Sequence, residues 1–150
     1  MTEMPSTPRL ALPLLAVAQA QKEITHNEAL TLLDALVHAA VVAGPLADPP
    51  ADFAEGQCWI VGPTPTGAWT GQAAAIAFRT AGGWRFAAPR DGMRVTRLSD
   101  GSQLRFDGGI WAGPATISPP TGGSTIDSEA RSAIAGLLLH LEAHGLLISG

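Results

Sequence analysis

Cysteine occurs once in this chain, at Cys58, which excludes an internal disulfide framework and any zinc centre built on clustered cysteines. A lone thiol flanked by Trp59 and Ile60 reads as a small buried residue. Charge is scarce too: Asp, Glu, Lys and Arg make up 15% of the residues, with a formal net of -4. That balance supplies no surface for a polyanion, so nucleic acid is not expected as a partner. Aromatic residues are only 5%, so the core should be modest although 46% of the chain is hydrophobic. No apolar run reaches the ~18 residues of a membrane span, and no membrane association is expected. Catalytic signatures are missing as well. The chain has no G-x-S-x-G and no H-E-x-x-H, and its G-P-T-P-T-G stretch has the glycines of a phosphate loop without the lysine. His140 and His144 share a helix face, but no third ligand adjoins them. Neither a cofactor, a metal nor catalysis is expected.

What the chain has is turn chemistry and two helical patterns. Near its start, the run Leu10 to Ala20 ends in A-Q-A, the shape of a signal-peptidase site. Three features oppose that reading: no basic cluster precedes the run, Pro13 interrupts it, and its period continues beyond Ala20. Ile24, Leu30, Leu33, Leu36, Val37, Ala40 and Val41 recur at helical spacing, with polar residues mostly between them. From Ala16 to Val42 there is neither Pro nor Gly, and Gly44-Pro45 marks a stop. A long retained helix is expected, with no cleavage of a signal peptide.

Seventeen Gly and twelve Pro imply many turns between short strands. Strands are expected at Cys58–Val61, Ala73–Arg79, Trp84–Phe86, Arg94–Leu98, Gln103–Phe106 and Ile110–Trp111, joined by Gly-Gly and Asp-Gly turns. A-F-R-T-A-G-G-W-R-F and L-R-F-D-G-G-I-W-A-G echo one another, each placing Phe, a glycine turn and Trp in one hairpin. Cross-strand packing explains the echo, and an aromatic platform for sugar rings is the alternative. Trp69, Trp84, Trp111 and Arg85 are the candidate glycan-binding residues. Arg85, Arg90, Arg94, Arg97 and Arg105 concentrate five of the eight arginines, on a solvated face or against acidic groups.

Trp111 to Thr125 reads as a Pro/Gly/Ser/Thr linker. Beyond it, Ser124 and Asp127 resemble a capping box, and Glu129 suits a first helical turn. Ala130, Ile134, Leu137, Leu141, His144 and Ile148 follow a 4-3-4-3-4 spacing that Ala133 and Leu138 widen, as a seam shared by more than two helices requires. Two heptads cannot sustain a helix alone. Leu33, Leu36, Ile134, Leu137, Leu138 and Leu141 are therefore the candidate oligomer interface. The expected architecture is α+β: an arm and long helix over 1–44, an antiparallel β-meander or barrel over 45–113, a flexible linker over 114–125, and an oligomerising helix over 126–150.

The strings A-Q-A-Q-K-E-I-T-H-N-E-A-L and W-I-V-G, G-A-W-T-G, G-G-W-R-F and P-R-D-G-M resemble a phage-derived domain of unknown function. That domain occurs in head-spike and tail-fibre proteins of gene transfer agents and prophages, and the resemblance covers roughly Arg9 to Trp111. It implies a particle component with no catalytic residues, the base or adaptor of a spike or fibre that aids attachment to the host surface. The implied partners are copies of the chain itself (a trimer or pentamer), capsid or tail proteins, a spike fibre protein and, through the glycan candidates, cell-surface polysaccharide. The implied location is the particle, assembled in the bacterial cytoplasm.

Overall fold

The computed structural model describes residues 5–16 and 22–149. The described residues form an α+β fold with one helix near each end, two open four-stranded sheets and a two-stranded ladder, and it separates into compact units over 1–89 and 90–150.

The first unit begins with an arm, residues 5–16, that lies on helix α1 (Lys22–Leu36). Asp34 holds it there. Its side chain is buried and accepts from Thr7 Oγ1 at 2.8 Å, the Arg9 amide at 3.0 Å and the Leu10 amide at 2.7 Å. Asn27 repeats the device about two turns back: its amide accepts from Leu15 N at 2.9 Å and donates to Leu15 O at 3.0 Å. Arg9 reaches the other way, donating to the carbonyls of Asp34, Ala35 and His38. A cation on the last free carbonyls of a helix both satisfies them and opposes the helix dipole.

The helix therefore ends at Leu36, short of the expected stop at Gly44. His38 turns the chain with a φ of 48°. Ala40–Val41 then forms β1 and Ala43–Leu46 forms β2. The spacing of Ala40 and Val41 suited a helix, but β-branched Val41 and Val42 pack well on a pleated surface, and Val41 is fully buried. Gly44 lies inside β2, where a Cβ would stand 2.6 Å from the Ile60 carbonyl oxygen; only glycine permits this approach. Of the expected start of the helix, Ala16 is non-helical, and residues 17–21 lie outside the described ones.

The first sheet has the order β2-β3-β4-β5, with β3 at Cys58–Val61, β4 at Ile76–Thr80 and β5 at Gly83–Ala87. β3, β4 and β5 are antiparallel, as expected of a meander, but β2 joins β3 in parallel and the sheet does not close. The barrel expectation is thereby corrected: the edges stay apart. One face buries Trp59, Val61 and Ala77 with Trp69 and Ala75, and Trp84 and Phe86 pack against them. Trp84 is the hub, with ring centroids 5.2 Å from Trp69, 5.4 Å from Trp59 and 5.5 Å from Phe53, all edge-on. The other face carries Cys58, Ile60, Ile76 and Phe78, which the pairing Cys58↔Phe78 and Ile60↔Ile76 aligns.

In the second unit, β6 (Arg94–Arg97), β7 (Gln103–Asp107) and β8 (Ile110–Ala112) run antiparallel. Val95, Leu104, Phe106 and Leu147 supply its buried apolar residues. Phe106 faces Trp111 across the hairpin, with centroids 5.3 Å apart. Asp100 makes the β6–β7 turn: it accepts from Arg97 Nε at 3.0 Å and from the Ser102 amide at 3.1 Å. The Arg97 guanidinium holds its carboxyl far below the usual carboxylate range. Within the expected linker, Thr116–Ile117 forms β9, which pairs in parallel with β10 (Ile148–Ser149) on the far side of helix α2 (Ser128–Ala143).

Candidate assembly surface

Helix α2 starts where Asp127 accepts from the Ala130 amide at 2.9 Å. The cap is Asp127 acting alone, in place of the expected Ser124–Asp127 pair. Glu129 occupies the first turn, where a negative charge is favoured. The helix ends in a left-handed Gly145 (φ 66°), with Gly145 N donating to Glu142 O and Leu146 N to Leu141 O, each at 2.8 Å. A Cβ on Gly145 would collide with the Gly101 carbonyl oxygen. The Gly145 carbonyl then accepts from the Gln103 amide at 2.9 Å. The seam therefore stops at His144, and Ile148, expected to extend it, belongs to β10.

No residue of α2 is buried. Ile134 is 41% exposed, Leu137 63%, Leu139 66% and Leu141 40%, and only Leu138 among the seam leucines is half-buried. An apolar stripe on a monomeric surface normally has a use. In the first unit, Leu33 is exposed and Leu36 half-buried, while Ile24, Leu32 and Val37 are also exposed. α1 and the sheet enclose a groove of about 510 Å³, with Ile24, Leu32, Phe78 and Phe86 along it and Glu28 and Arg85 among its polar residues. Its other hydrogen-bonding side chains are engaged within the fold: Asn27 holds Leu15, Thr31 donates to Asn27 O, and Thr80 donates to Gly83 O.

The glycan candidates separate. Trp69 is completely buried, so it offers no face to a sugar, and its indole N–H has no hydrogen-bond partner among the described residues. Trp84 is half-buried at the centre of the aromatic cluster and lies under the Arg79 guanidinium, 5.8 Å from the ring centroid. Trp111, also half-buried, lies in the second unit. Arg85 is exposed at the groove. Of the remaining arginines, Arg94, Arg97 and Arg105 stay together on the β6–β7 ladder: Arg97 is bound to Asp100, Arg105 lies 3.6 Å from Asp107, and Arg94 faces Arg105 across the strands. The two hairpins that echo in sequence are β4–β5 and β7–β8. Only the second pairs its Phe and Trp directly; in the first, Phe78 faces Arg85 and Trp84 faces Arg79.

Cys58 is buried, and desolvation pushes its thiol up to about 11, with Arg9 pulling down and Asp34 adding to the rise. A thiol held protonated in this way is not a nucleophile at neutral pH. His140 on α2 and His144 at its C-cap are both exposed, and no group of three metal-ligating side chains occurs among the described residues. The residues that reasoning from sequence missed are Arg9, Asn27 and Asp34. All three are polar positions in a helical or coil pattern, and no local signal marks them as clamps between segments, 12 residues apart at Asn27 and about 25 at Arg9 and Asp34.

No curated protein matches the chain. A family match does exist, to a domain described only as a protein of unknown function (DUF2793), and it runs over residues 26–112, from within α1 to the end of β8. It leaves α2 outside and covers more than half of the sequence, and on that ground the chain belongs to the DUF2793 family.

Proposed function

We propose that this chain is a non-enzymatic structural component of a phage-like particle, either a gene transfer agent or a prophage. In that role it is the base or adaptor of a head spike or fibre that aids attachment to the cell surface. One observation carries the reading: α2 buries none of its residues in its own chain. A short helix is marginal in water on propensity alone, and an apolar stripe of this size calls for a protein surface to cover it. The strings that resemble phage head-spike and tail-fibre domains supply the setting, and DUF2793 membership is compatible with it. Capsid or tail proteins, a fibre protein and copies of the chain itself are its partners, and the particle, assembled in the bacterial cytoplasm, is its location.

The test is to tag the chain in its host, induce particle production and fractionate the lysate by density. Co-sedimentation with particles, and bald vertices or tails on deletion, are the expected results. Particles that lack the chain and are unaltered by its deletion would refute the reading.

A further inference from the structure

The adaptor reading leaves open what covers α2. We infer that other copies of α2 do. Ala130, Ile134, Leu137, Leu141 and His144 from three or more chains meet in one parallel bundle, flanked by Ala133 and Leu138. The inference rests on the same exposed stripe as the proposed function and deepens it.

Spacing is the first reason to choose sister helices over an unrelated surface. The seam residues recur at 4-3-4-3, an average of 3.5 residues, the repeat at which like helices wrap around one another with knobs in holes. A helix laid on a sheet or groove needs only a stripe of period 3.6. The helix makes no such use of its own unit, where even the most seam-central side chain, Leu137, is 63% exposed.

Charge is the second reason. At the core and flanking positions from Ala130 to His144 the sole permanently charged side chain is Arg131. Its guanidinium is already engaged by the carbonyls of Pro120 and Gly122. From Ala130 to His144, identical helices therefore meet without opposing permanent charges, a self-compatibility that a surface built for a foreign partner has no need of.

Width and symmetry fix the form. Leu138 and Ala133 make the flanks of the seam apolar, and a two-stranded contact would leave those flanks in water. A closed ring of three or more identical chains has cyclic symmetry, which sets the helices parallel. The C-terminal end of every helix is tied to its own unit by the Gln103–Gly145 hydrogen bond and the β9–β10 ladder. A parallel bundle accordingly gathers those ends at one level.

The experiment is light scattering on the full chain, resolved by gel filtration at micromolar concentration. The expected mass is at least three times the 15.4 kDa of one chain. Leu137→Asp is expected to give a monomer with unchanged tryptophan emission and an unchanged melting curve for the β units, because the side chain is 63% exposed within one chain. Leu139→Asp is the control: Leu139 is 66% exposed but sits roughly opposite Leu137 on the helix, so the assembly should survive. A wild-type monomer or dimer, or equal disruption by both substitutions, would overturn the inference. A monomer that still co-sediments with particles would overturn it while sparing the adaptor reading. An oligomer that never enters particles would support it and overturn the adaptor.

Discussion

Replacing Asp34 by alanine tests how the arm is held. The carboxylate is 2% exposed and receives three donors, at 2.8, 3.0 and 2.7 Å. Hydrogen bonds to a charged acceptor contribute about 1.5–3 kcal/mol each, so the three set a ceiling of about 5–9 kcal/mol. That ceiling is not reached, because the donors differ in their access to water. Thr7 is 3% exposed and its hydroxyl would be stranded, whereas Leu10 is 39% exposed and its amide can recover a water. Desolvation of the carboxylate in the native protein offsets a further part. A net loss of about 3 kcal/mol follows, near the upper end of the ordinary range for single substitutions. Urea unfolding followed by tryptophan fluorescence is the assay, since Trp59, Trp69 and Trp84 all report on the first unit. Limited proteolysis of the arm is the second readout: cleavage within residues 5–16 should accelerate in proportion. A loss below about 0.5 kcal/mol, the size of a neutral surface change, would refute the clamp.

Two further outcomes follow from the first unit. Trp84→Ala removes three edge-on aromatic contacts and the ring beneath Arg79. A loss of about 3 kcal/mol is expected, at the low end for deleting a large aromatic because Trp84 is only half-buried, with collapse of the near-ultraviolet circular dichroism as a second sign. Cys58, its thiol pushed up to about 11, should resist iodoacetamide in the native state at pH 8, where about one molecule in a thousand carries the thiolate. Because the folded value lies above the unfolded one, alkaline pH favours unfolding through this group: its relative stabilisation is complete below the unfolded thiol value and fades as pH climbs toward about 11. Labelling that is as fast in native buffer as in urea would contradict its burial.

Much of the β structure was legible because its signals are local. Each expected strand from Cys58 to Trp111 overlaps an observed one, since Gly-Gly and Asp-Gly turns punctuate alternating β-branched and aromatic residues. The extent of α1 was not legible, because the cap that ends it is Arg9, about 25 residues away. Nor was the parallel pairing of β2, where Gly44 matters for its closeness to Ile60 and not as a helix stop. β9 and β10 are two residues each and carry no periodicity at all. For the assembly surface, the 4-3-4-3 pattern named the α2 residues, whose exposure comes from the fold. Trp69 could not be told from a surface aromatic by its neighbours, because its burial depends on strands on either side of it.

The clamp at Asp34 bears on how the family domain should be handled in isolation. A fragment trimmed to residues 26–112 would discard Thr7, Arg9 and Leu10 while retaining the acid they surround. It would keep a helix without its cap and a charge enclosed without its donors. Such a fragment should express poorly for reasons unrelated to its sheets, and a fragment of this chain that keeps the clamp must begin at the arm.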